Sequence, residues 1–224
     1  MILQKGLRYL QTMRALQRVN IALAKGNIAK NARVLNENDP KSWEFSGFSQ
    51  NGEDGMLSFL TSKLLASNQK FIEIGAADGL ENNLSWHAIV HKWQGVMIEG
   101  SPKLSVCCAR LMSLFNLGVQ CHNIFVDHKN SQEFIKRQEI LNPDVFSIDI
   151  DGNDYHVMKS LLEAKFKPKI IVVEFNSAFG PDQPLTIPYQ EAFDFVKAHN
   201  SCLYYGVSIG AWRLLFTKFG YRFI

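Results

Sequence analysis

Three carboxylates lie within six positions of one segment, at Asp149, Asp151 and Asp154. The residues at 145–150 are rich in valine, phenylalanine and isoleucine, which predicts a buried β-strand. Because side chains alternate along a strand, Asp149 and Asp151 would lie on the same side of it. Acids this close are costly to bury unless protons or a cation lie among them. The segment is therefore the first candidate for a functional site.

A second polar strand end follows at Glu174 and Asn176. If the two strands are neighbours, Asp149 or Asp151 would lie near this pair. Such a group could act as a general base on an acceptor hydroxyl, hydrogen-bond a substrate rich in hydroxyls, or hold a divalent metal such as Mg²⁺ through Asp151, Glu174 and Asn176. His156 is another candidate base, since its ordinary pKa lies near neutrality. The catalytic candidates are thus Asp151, Glu174 and His156.

A turn of small residues follows an earlier predicted strand, from Gly75 through two alanines to Asp78 and Gly79. Small residues let the backbone turn tightly and approach a ligand. An alanine stands where a G-x-G-x-x-G motif has its second glycine, and the lysine of a P-loop is missing, which argues against a triphosphate site. Glu73 and Asp78 flank the turn, and carboxylates repel phosphate oxygens. The turn therefore favours a sulfonium nucleoside over NAD.

Glu99 ends the next predicted strand, roughly 20 residues after the turn. An acid at this spacing can accept hydrogen bonds from both hydroxyls of a bound ribose, as in dinucleotide-binding folds. The two strand ends together predict a nucleoside site.

Short apolar strands alternate with helical stretches from residue 46 onward, which is typical of a parallel sheet covered by helices on both faces. Strands are predicted at 70–74, 95–98, 119–126, 145–150, 170–175 and from 221 onward. Helices are predicted at 52–67, 82–91, 103–115, 131–137, 154–164, 189–199 and 208–219. The fold class is therefore α/β with a doubly wound, mostly parallel sheet, in which ligands bind at the carboxyl ends of the strands.

The first 36 residues carry seven basic residues and no acid, although the whole chain has 24 basic and 21 acidic residues. Apolar residues recur every three or four positions from Leu3 to Leu23, which predicts a basic amphipathic helix. Its apolar stripe could pack on the main domain or on a second subunit, or the helix could adsorb to an anionic membrane surface or an acidic polymer. We expect a helical extension and linker at 1–45 and the main domain at 46–224.

The composition, 46% hydrophobic and 20% charged in 224 residues, is that of a globular protein and excludes disorder and fibrous repeats. Neither a membrane-spanning stretch of roughly 18 apolar residues nor a secretory signal is evident. We expect a cytoplasmic protein, with peripheral contact to the inner face of a membrane as an open alternative. The remainder of the chain is net acidic, so a nucleic-acid partner is not expected. Four cysteines without zinc-binding spacing are expected to be packing residues: Cys107, Cys108, Cys121 and Cys202.

Taken together, these segments resemble the S-adenosylmethionine-dependent methyltransferases of the FkbM-like family. The resemblance is carried by residues 48–55 (Phe-Ser-Gln-Asn-Gly-Glu-Asp-Gly), 71–83, 96–101, 146–155, 171–176, 204–208 and 220–221. It implies a Rossmann-like sheet of the class I methyltransferase type, S-adenosyl-L-methionine as cofactor, and transfer of its methyl group, most often to an oxygen of a sugar or another secondary metabolite. The acceptor would then be a small molecule or a glycan. Family members usually continue into a final antiparallel strand, which this chain is expected to lack.

The resemblance and the strand ends together give an expected set of cofactor-binding residues: Ser49, Gln50, Glu53, Glu73, Gly75, Ala76, Asp78, Gly79, Glu99, Ser101, Asp127 and Asp149. By resemblance, Glu99 holds the ribose and Asp127 contacts the adenine. The residues that close over the methionine end would be Ser49, Gln50, Glu53 and Asp54. A carboxylate at Glu53 could pair there with the cofactor's ammonium group.

Two other functions fit parts of the sequence. The run from Asp149 to Gly152 imitates the nucleophile loop of haloacid-dehalogenase-like phosphatases, but it follows the fourth predicted strand instead of the first, and Asn153 replaces the usual threonine. A non-catalytic Rossmann-like module that binds partners through its basic N-terminal helix is the main alternative to an enzyme. Cofactor binding without turnover would indicate such a module.

Overall fold

A computed structural model of the chain describes residues 2–137, 140, 142–201 and 203–224. Cys202, expected to be a packing residue, lies outside the described residues. The helices are α1 (Ile2–Ala32), α2 (Glu53–Ser62), α3 (Ser85–Ile89), α4 (Pro102–Phe115), α5 (Ser131–Arg137), α6 (Asp154–Glu163), α7 (Phe195–Ala198) and α8 (Ile209–Lys218). The strands are β1 (Lys70–Ile74), β2 (Gln94–Glu99), β3 (Val119–Asn123), β4 (Val145–Ile148) and β5 (Ile170–Val173). Two short 3₁₀ turns span Pro40–Trp43 and Ser177–Phe179.

The five strands form one parallel sheet in the order β3-β2-β1-β4-β5. Ile74 at the end of β1 pairs with Ile98 on one side and Ile148 on the other, so the carboxyl ends of three strands lie level. The direction in which successive strands are added reverses between β1 and β4, which is where open α/β sheets bind ligands. The predicted α/β class and Rossmann-like sheet are confirmed.

Strand β1 shows why both faces of the sheet are covered. Its side chains alternate between two apolar clusters: Phe71 packs in one, and Ile72 and Ile74 pack in the other. The first cluster is closed by α1 to α4 around the fully buried Trp86, and the second by α5, α6 and α8 around the fully buried Trp212. Strands buried on both faces need long apolar runs, and the centre of β2 (Gly95 to Ile98) supplies one.

Several predicted boundaries are wrong. No strand forms among residues 221–224 of the described chain, where the Tyr221 hydroxyl instead donates to the Pro168 carbonyl. The third strand ends at Asn123 because the Asn123 amide donates to the Glu99 and Gly100 carbonyls as the chain leaves the sheet.

Three predicted helices are much shorter than expected. The helix predicted at 189–199 is reduced to α7, which begins after Asp194, whose carboxylate accepts from the Val196 N–H. The one predicted at 82–91 begins only at Ser85, since the Asn82 side chain accepts from the Ser85 N–H. The helix predicted at 52–67 ends at Ser62. In the first two of these helices, local hydrogen bonds to polar side chains compete with helix extension.

Helix α1 packs on the main domain through its carboxyl-terminal half. Val19 and Ala22 are buried in the first apolar cluster, and Gly26 lies against the ring of Trp86. Leu10 and Met13, although part of the predicted apolar stripe, are exposed. The division of the chain at residue 45 stays a prediction, since Trp43 and Phe45 are buried as well. None of the helices in the described ranges has the length and hydropathy needed to cross a bilayer.

Alanine substitutions at two glycines of α1 test this packing. A Cβ on Gly26 would lie 2.5 Å from the fully buried Trp86 ring, whereas a Cβ on Gly6 meets nothing within 4 Å. Alanine at either position gains about 1 kcal/mol of helix propensity. We expect Gly26→Ala to lower the melting temperature in a thermal denaturation and Gly6→Ala to leave it unchanged or raise it. Equal shifts in both variants would contradict the packing of α1 on Trp86.

Candidate functional site

A cleft of about 540 Å³ opens at the carboxyl ends of the strands, where β1 and β4 meet. Its lining includes Gly75, Glu99, Phe125, Asp151 and Glu174. A smaller cavity of about 130 Å³ adjoins it and shares part of its lining. The cleft therefore lies where the polar strand ends predicted a site.

Gly75 allows the three central strand ends to come together. Its N–H donates to the Ile98 carbonyl at 2.9 Å, and the next strand is joined through the Asp149 N–H, which donates to the Ile74 carbonyl at 3.0 Å. The backbone of Gly75 has φ +89°, and a Cβ there would collide with the Asp149 carbonyl. Only glycine combines this conformation with this close approach.

Glu99 joins the loops that follow β1 and β2. One carboxylate oxygen accepts from the Ala77 N–H at 2.9 Å, and the other accepts from the Ser101 N–H at 2.7 Å. A carboxylate oxygen can accept more than one hydrogen bond, so each retains capacity toward the cleft. Ser101 caps the amino terminus of α4, and the adjoining wall is apolar, with Leu104 and Phe125. A rigid carboxylate beside an apolar wall suits a group with vicinal hydroxyls and a flat ring.

Glu73 lies beneath the smaller cavity and is almost completely buried. Its Oε1 accepts from the Asn83 N–H at 2.9 Å, whereas its Oε2 is buried without a hydrogen-bond partner among the described residues. Burial raises the pKa of the Glu73 carboxyl from 4.5 to about 8. At neutral pH the group is therefore mainly protonated and can donate a hydrogen bond.

An acidic cluster of Asp149, Asp151 and Glu174 forms at the ends of β4 and β5, which pair with each other as predicted. One oxygen each of Asp149, Asp151 and Glu174 lies within 4.8 Å of the other two. The Asp149 carboxyl opens to the cleft, yet the protein atoms around it raise its pKa, and the charges of Asp154 and Asp151 raise it further. Burial and the charge of Asp149 likewise raise the pKa of Glu174, with which Asp149 shares a hydrogen bond. The pair thus holds a proton more tightly than separate acids would.

Two further groups shape the acidic cluster. Asp154 is buried below the loop, where its carboxylate accepts from the Ile150 and Gly152 N–H groups at 2.9 Å each. These bonds hold the loop in the turn that gives Asp151 a left-handed backbone with φ +52°. Above the cluster, the Tyr205 hydroxyl donates to Glu174 at 3.5 Å.

Two residues that were predicted to act with the acidic cluster, Asn176 and His156, do not lie in it. The Asn176 amide donates to the Leu203 and Tyr205 carbonyls, and its oxygen caps the following 3₁₀ turn, so its predicted role as a metal ligand finds no support. The ring of His156 packs against Tyr189 and its Nε2 lies 2.9 Å from the Ile187 carbonyl, outside the cleft lining. The expectation that His156 serves as a base is not supported by this position.

The predicted cofactor residues separate into those that line the two cavities and those that support them. Gln50, Glu53, Glu73, Gly75, Glu99, Ser101 and Asp149 contribute to the lining. Ser49, Ala76, Asp78, Gly79 and Asp127 do not. Gln50 reaches across to Glu81 at 2.8 Å, which links the segment before α2 to the turn after β1.

The supporting residues have structural partners of their own. Asp78 forms an ion pair with Arg18 of α1 at 2.6 Å, and Gly79 packs on Cys108. Asp127 accepts from the backbone of the loop that it begins, at Lys129 and Asn130. Ala76 is fully buried.

The segment before α2 is held by a buried carboxylate. Asp54 accepts from the N–H groups of Gly47, Phe48 and Ser49 at 2.7 to 3.1 Å, and the Ser49 hydroxyl accepts in return from the Asp54 N–H. Burial raises the pKa of Asp54 to about 6. Ser49 therefore fixes the loop that carries Gln50 to the cleft.

Sequence reasoning missed Phe125 and Phe193 as parts of the cleft. Phe193 also packs on Gly152, where a Cβ would lie 2.5 Å from its ring. Phe125 could have been found from its position just past β3, on the carboxyl edge of the sheet. Phe193 could not, because the sequence placed it inside a predicted helix at 189–199, whereas it lies in the loop before α7.

Residues 118–223 match the family model described as the methyltransferase FkbM domain. The match confirms the resemblance over the segments at 146–155, 171–176, 204–208 and 220–221, whereas those at 48–55, 71–83 and 96–101 precede it. The matched part begins just before β3 and contains Asp149, Asp151 and Glu174, whereas the turn at Gly75 and Glu99 precede it. None of the curated proteins matches the chain.

Solved structures similar to the chain include three methyltransferases. An O-methyltransferase from Bacillus cereus in complex with SAH shares 15% identity at a TM-score of 0.46, covering 73% of this chain and 68% of that one. The SAH-bound methyltransferase PaMTH1 from Podospora anserina has 15% sequence identity and a TM-score of 0.46, and the match covers 71% of this chain and 64% of that one. A SAM-dependent methyltransferase from Thiobacillus denitrificans in complex with S-adenosyl-L-homocysteine has 18% sequence identity and a TM-score of 0.45, and the match covers 88% of this chain and 71% of that one. This chain thus spans about two thirds of the first two proteins, and likenesses of this degree assign it no activity.

The buried Glu73 makes stability depend on pH. Because its folded-state pKa is raised, the stability contributed by its protonated form is present below pH 4.5 and is lost as the pH rises toward 8. The glutamine of Glu73→Gln cannot ionise. At about 1.4 kcal/mol per pKa unit, we expect the free energy of unfolding of this variant to exceed that of the wild type by a few kcal/mol at pH 9. At pH 4 the two values should match. Urea denaturation at several pH values measures this difference. The exposed Glu133→Gln is the control, and a pH profile of Glu73→Gln parallel to that of the wild type would contradict the assignment.

Proposed function

We propose that this chain, with its FkbM-type methyltransferase domain match over residues 118–223, transfers a methyl group from S-adenosyl-L-methionine to a hydroxyl of a small molecule or glycan. The observation that carries the proposal is the bridge made by Glu99. Its carboxylate hydrogen-bonds the loops after β1 and β2 at once, beside the point where the strand order reverses. A ribose bound there would meet a fixed acceptor at the usual ligand edge of the sheet.

The residues present fit this cofactor. The Gly75 backbone leaves room where a Cβ would collide, Glu99 offers acceptors for the ribose, and Leu104 and Phe125 offer an apolar wall for adenine. Gln50 and Glu53 line the cavities at the other end, where a carboxylate can pair with an ammonium group. When bound, S-adenosyl-L-methionine supplies an electrophilic methyl group on a sulfonium sulfur.

The acidic cluster would bind and orient the acceptor. Asp151 and Glu174 both line the 540 Å³ cleft, and acceptors with several hydroxyls can donate to their oxygens. When the hydroxyl oxygen, the methyl carbon and the sulfur are held in line, this alignment supplies much of the acceleration of methyl transfer. A carboxylate with a raised pKa is a better base near neutrality, so Asp151 or the coupled Asp149–Glu174 pair would accept the hydroxyl proton.

A divalent cation is the second candidate for the role of this cluster. Three carboxylate oxygens within 4.8 Å of one another are the hard donors that Mg²⁺ and Ca²⁺ prefer. A cation would lower the pKa values of these acids and replace the shared protons. Asn176 would not belong to such a site because its amide is bonded elsewhere.

Substitution of Glu99 tests the ribose assignment. Glu99→Gln keeps the shape but removes the charge and one acceptor, and a hydrogen bond to a charged group contributes about 1.5–3 kcal/mol. We expect S-adenosylhomocysteine to bind at least about tenfold more weakly by isothermal calorimetry. Asp78→Asn, in the turn after β1 but outside the cleft lining, should change the affinity little. Unchanged affinity in a folded Glu99→Gln protein would remove the ribose assignment.

Substitutions in the acidic cluster separate binding from transfer. We expect Asp151→Asn and Glu174→Gln to abolish transfer of labelled methyl groups from S-adenosyl-L-methionine into sugar and metabolite extracts while S-adenosylhomocysteine still binds. His156→Gln, which alters a ring outside the cleft, should retain transfer. Persistent transfer by both cluster variants would overturn their role.

The same assay distinguishes the remaining alternatives. Transfer that stops in chelator and returns with Mg²⁺ would indicate the cation, and transfer that survives in chelator would exclude an essential one. Binding of S-adenosylhomocysteine without transfer by the wild type to any extract would indicate the non-catalytic binding module.

A further inference from the structure

Helix α1 has an outer apolar stripe that is distinct from the one packed on the domain. Its inner side, with Val19, Ala22 and Gly26, is buried against the first apolar cluster. Leu10, Met13, Ile21 and Ile28 lie elsewhere on the helix and are 58%, 46%, 62% and 71% exposed. The packing that accounts for the inner residues therefore leaves these four apolar side chains in water.

The four exposed residues lie along one side of the helix. Eighteen residues are five turns of an α-helix, so Leu10 and Ile28 lie directly above one another. Met13 and Ile21 fall between them within an arc of about 80°. The stripe is about 27 Å long. The exposed Ala24 lies within it, and the polar Gln17 lies between Met13 and Ile21. Large apolar residues exposed in a row indicate an interaction surface, whereas scattered ones do not.

The charges of α1 identify the partner. The helix carries six basic residues and no acidic one. Arg18 is paired with Asp78, but the exposed Arg14 and Lys25, which lie along one edge of the stripe, have no ion-pair partner among the residues that the structure describes. Cations beside an exposed apolar stripe match an interface that is anionic at its surface and apolar below it.

We propose that the outer stripe of α1 adsorbs in the plane of an anionic lipid bilayer, with Leu10, Met13, Ile21 and Ile28 in the headgroup and acyl boundary and Arg14 and Lys25 on the lipid phosphates. A nucleic acid would use the cations but leave the apolar row in water. A second copy of this face would set two all-basic helices against each other. The bilayer is the partner that satisfies both the stripe and the charge.

The docked position of α1 favours this mode of binding. The inner side packs on Trp86 at Gly26. Closer to the amino terminus, α1 is held by the Arg18–Asp78 ion pair and by a hydrogen bond that Arg110 donates to Gln11 at 3.0 Å. The stripe is therefore presented on a folded helix, so adsorption does not require a coil to order on the surface.

Flotation of the full chain with lipid vesicles tests the proposal. We expect binding to equimolar phosphatidylserine and phosphatidylcholine, loss of binding in high salt, and little binding to phosphatidylcholine alone. A basic residue near an anionic surface contributes about fivefold to partitioning. Arg14→Gln with Lys25→Gln should therefore weaken binding by about 25-fold, and Ile21→Gln with Ile28→Gln should weaken it at least tenfold by removing buried apolar area.

Matched controls use residues of the same type away from α1. Lys136→Gln with Lys167→Gln and Leu65→Gln with Leu117→Gln alter exposed side chains and should bind vesicles like the wild type. Circular dichroism and S-adenosylhomocysteine binding check that each variant is folded.

Three results would overturn the proposal. The first is equal vesicle binding by the α1 variants and their controls. The second is a dimer in light scattering that the isoleucine variants abolish, without vesicle binding by the wild type, which would indicate a second copy. The third is salt-sensitive binding to RNA that the isoleucine substitutions leave intact, again without vesicle binding.

Discussion

The site depends on the close approach of the β4 backbone to the turn after β1. Gly75 makes this approach because it has no Cβ to meet the Asp149 carbonyl and can adopt a positive φ. The same contact sets the spacing between Glu99 on one side and the acidic cluster on the other. A side chain at position 75 would separate the strand ends and move both groups, so the geometry of the whole cleft rests on this one residue.

The cleft is acidic without compensating cations. Its described lining has no lysine or arginine, although Glu99, Asp149, Asp151 and Glu174 all contribute to it. Burial and mutual repulsion then favour protonated carboxyls, which raises the pKa values of Asp149 and Glu174. A phosphate would add to the repulsion, whereas a ligand with a sulfonium and an ammonium group would relieve it. The electrostatics of the cleft thus agree with the choice of a sulfonium nucleoside over a dinucleotide.

The sequence predicted the elements that depend on local pattern. Strand β1 and helix α5 lie where the apolar spacing put them, and the polar strand ends at Glu99 and Glu174 came to one edge because parallel strands end together. His156 and Asn176 lie away from the acidic cluster for a different reason. Their partners are carbonyls of loops between 187 and 205, and no local pattern shows where those loops fold back.

Helix α1 shows the same limit of periodicity. The apolar residues from Leu3 to Leu23 predicted a single stripe, but the packed side combines Val19 with Ala22 and Gly26, whose small size lets the helix approach Trp86. A pattern that counts large apolar residues cannot detect a close contact that forms because the residues have small side chains or none. Because the small residues take the packed side, Leu10 and Met13 are left on the outside, and the amphipathic character seen in the sequence belongs in part to the surface that faces away from the domain.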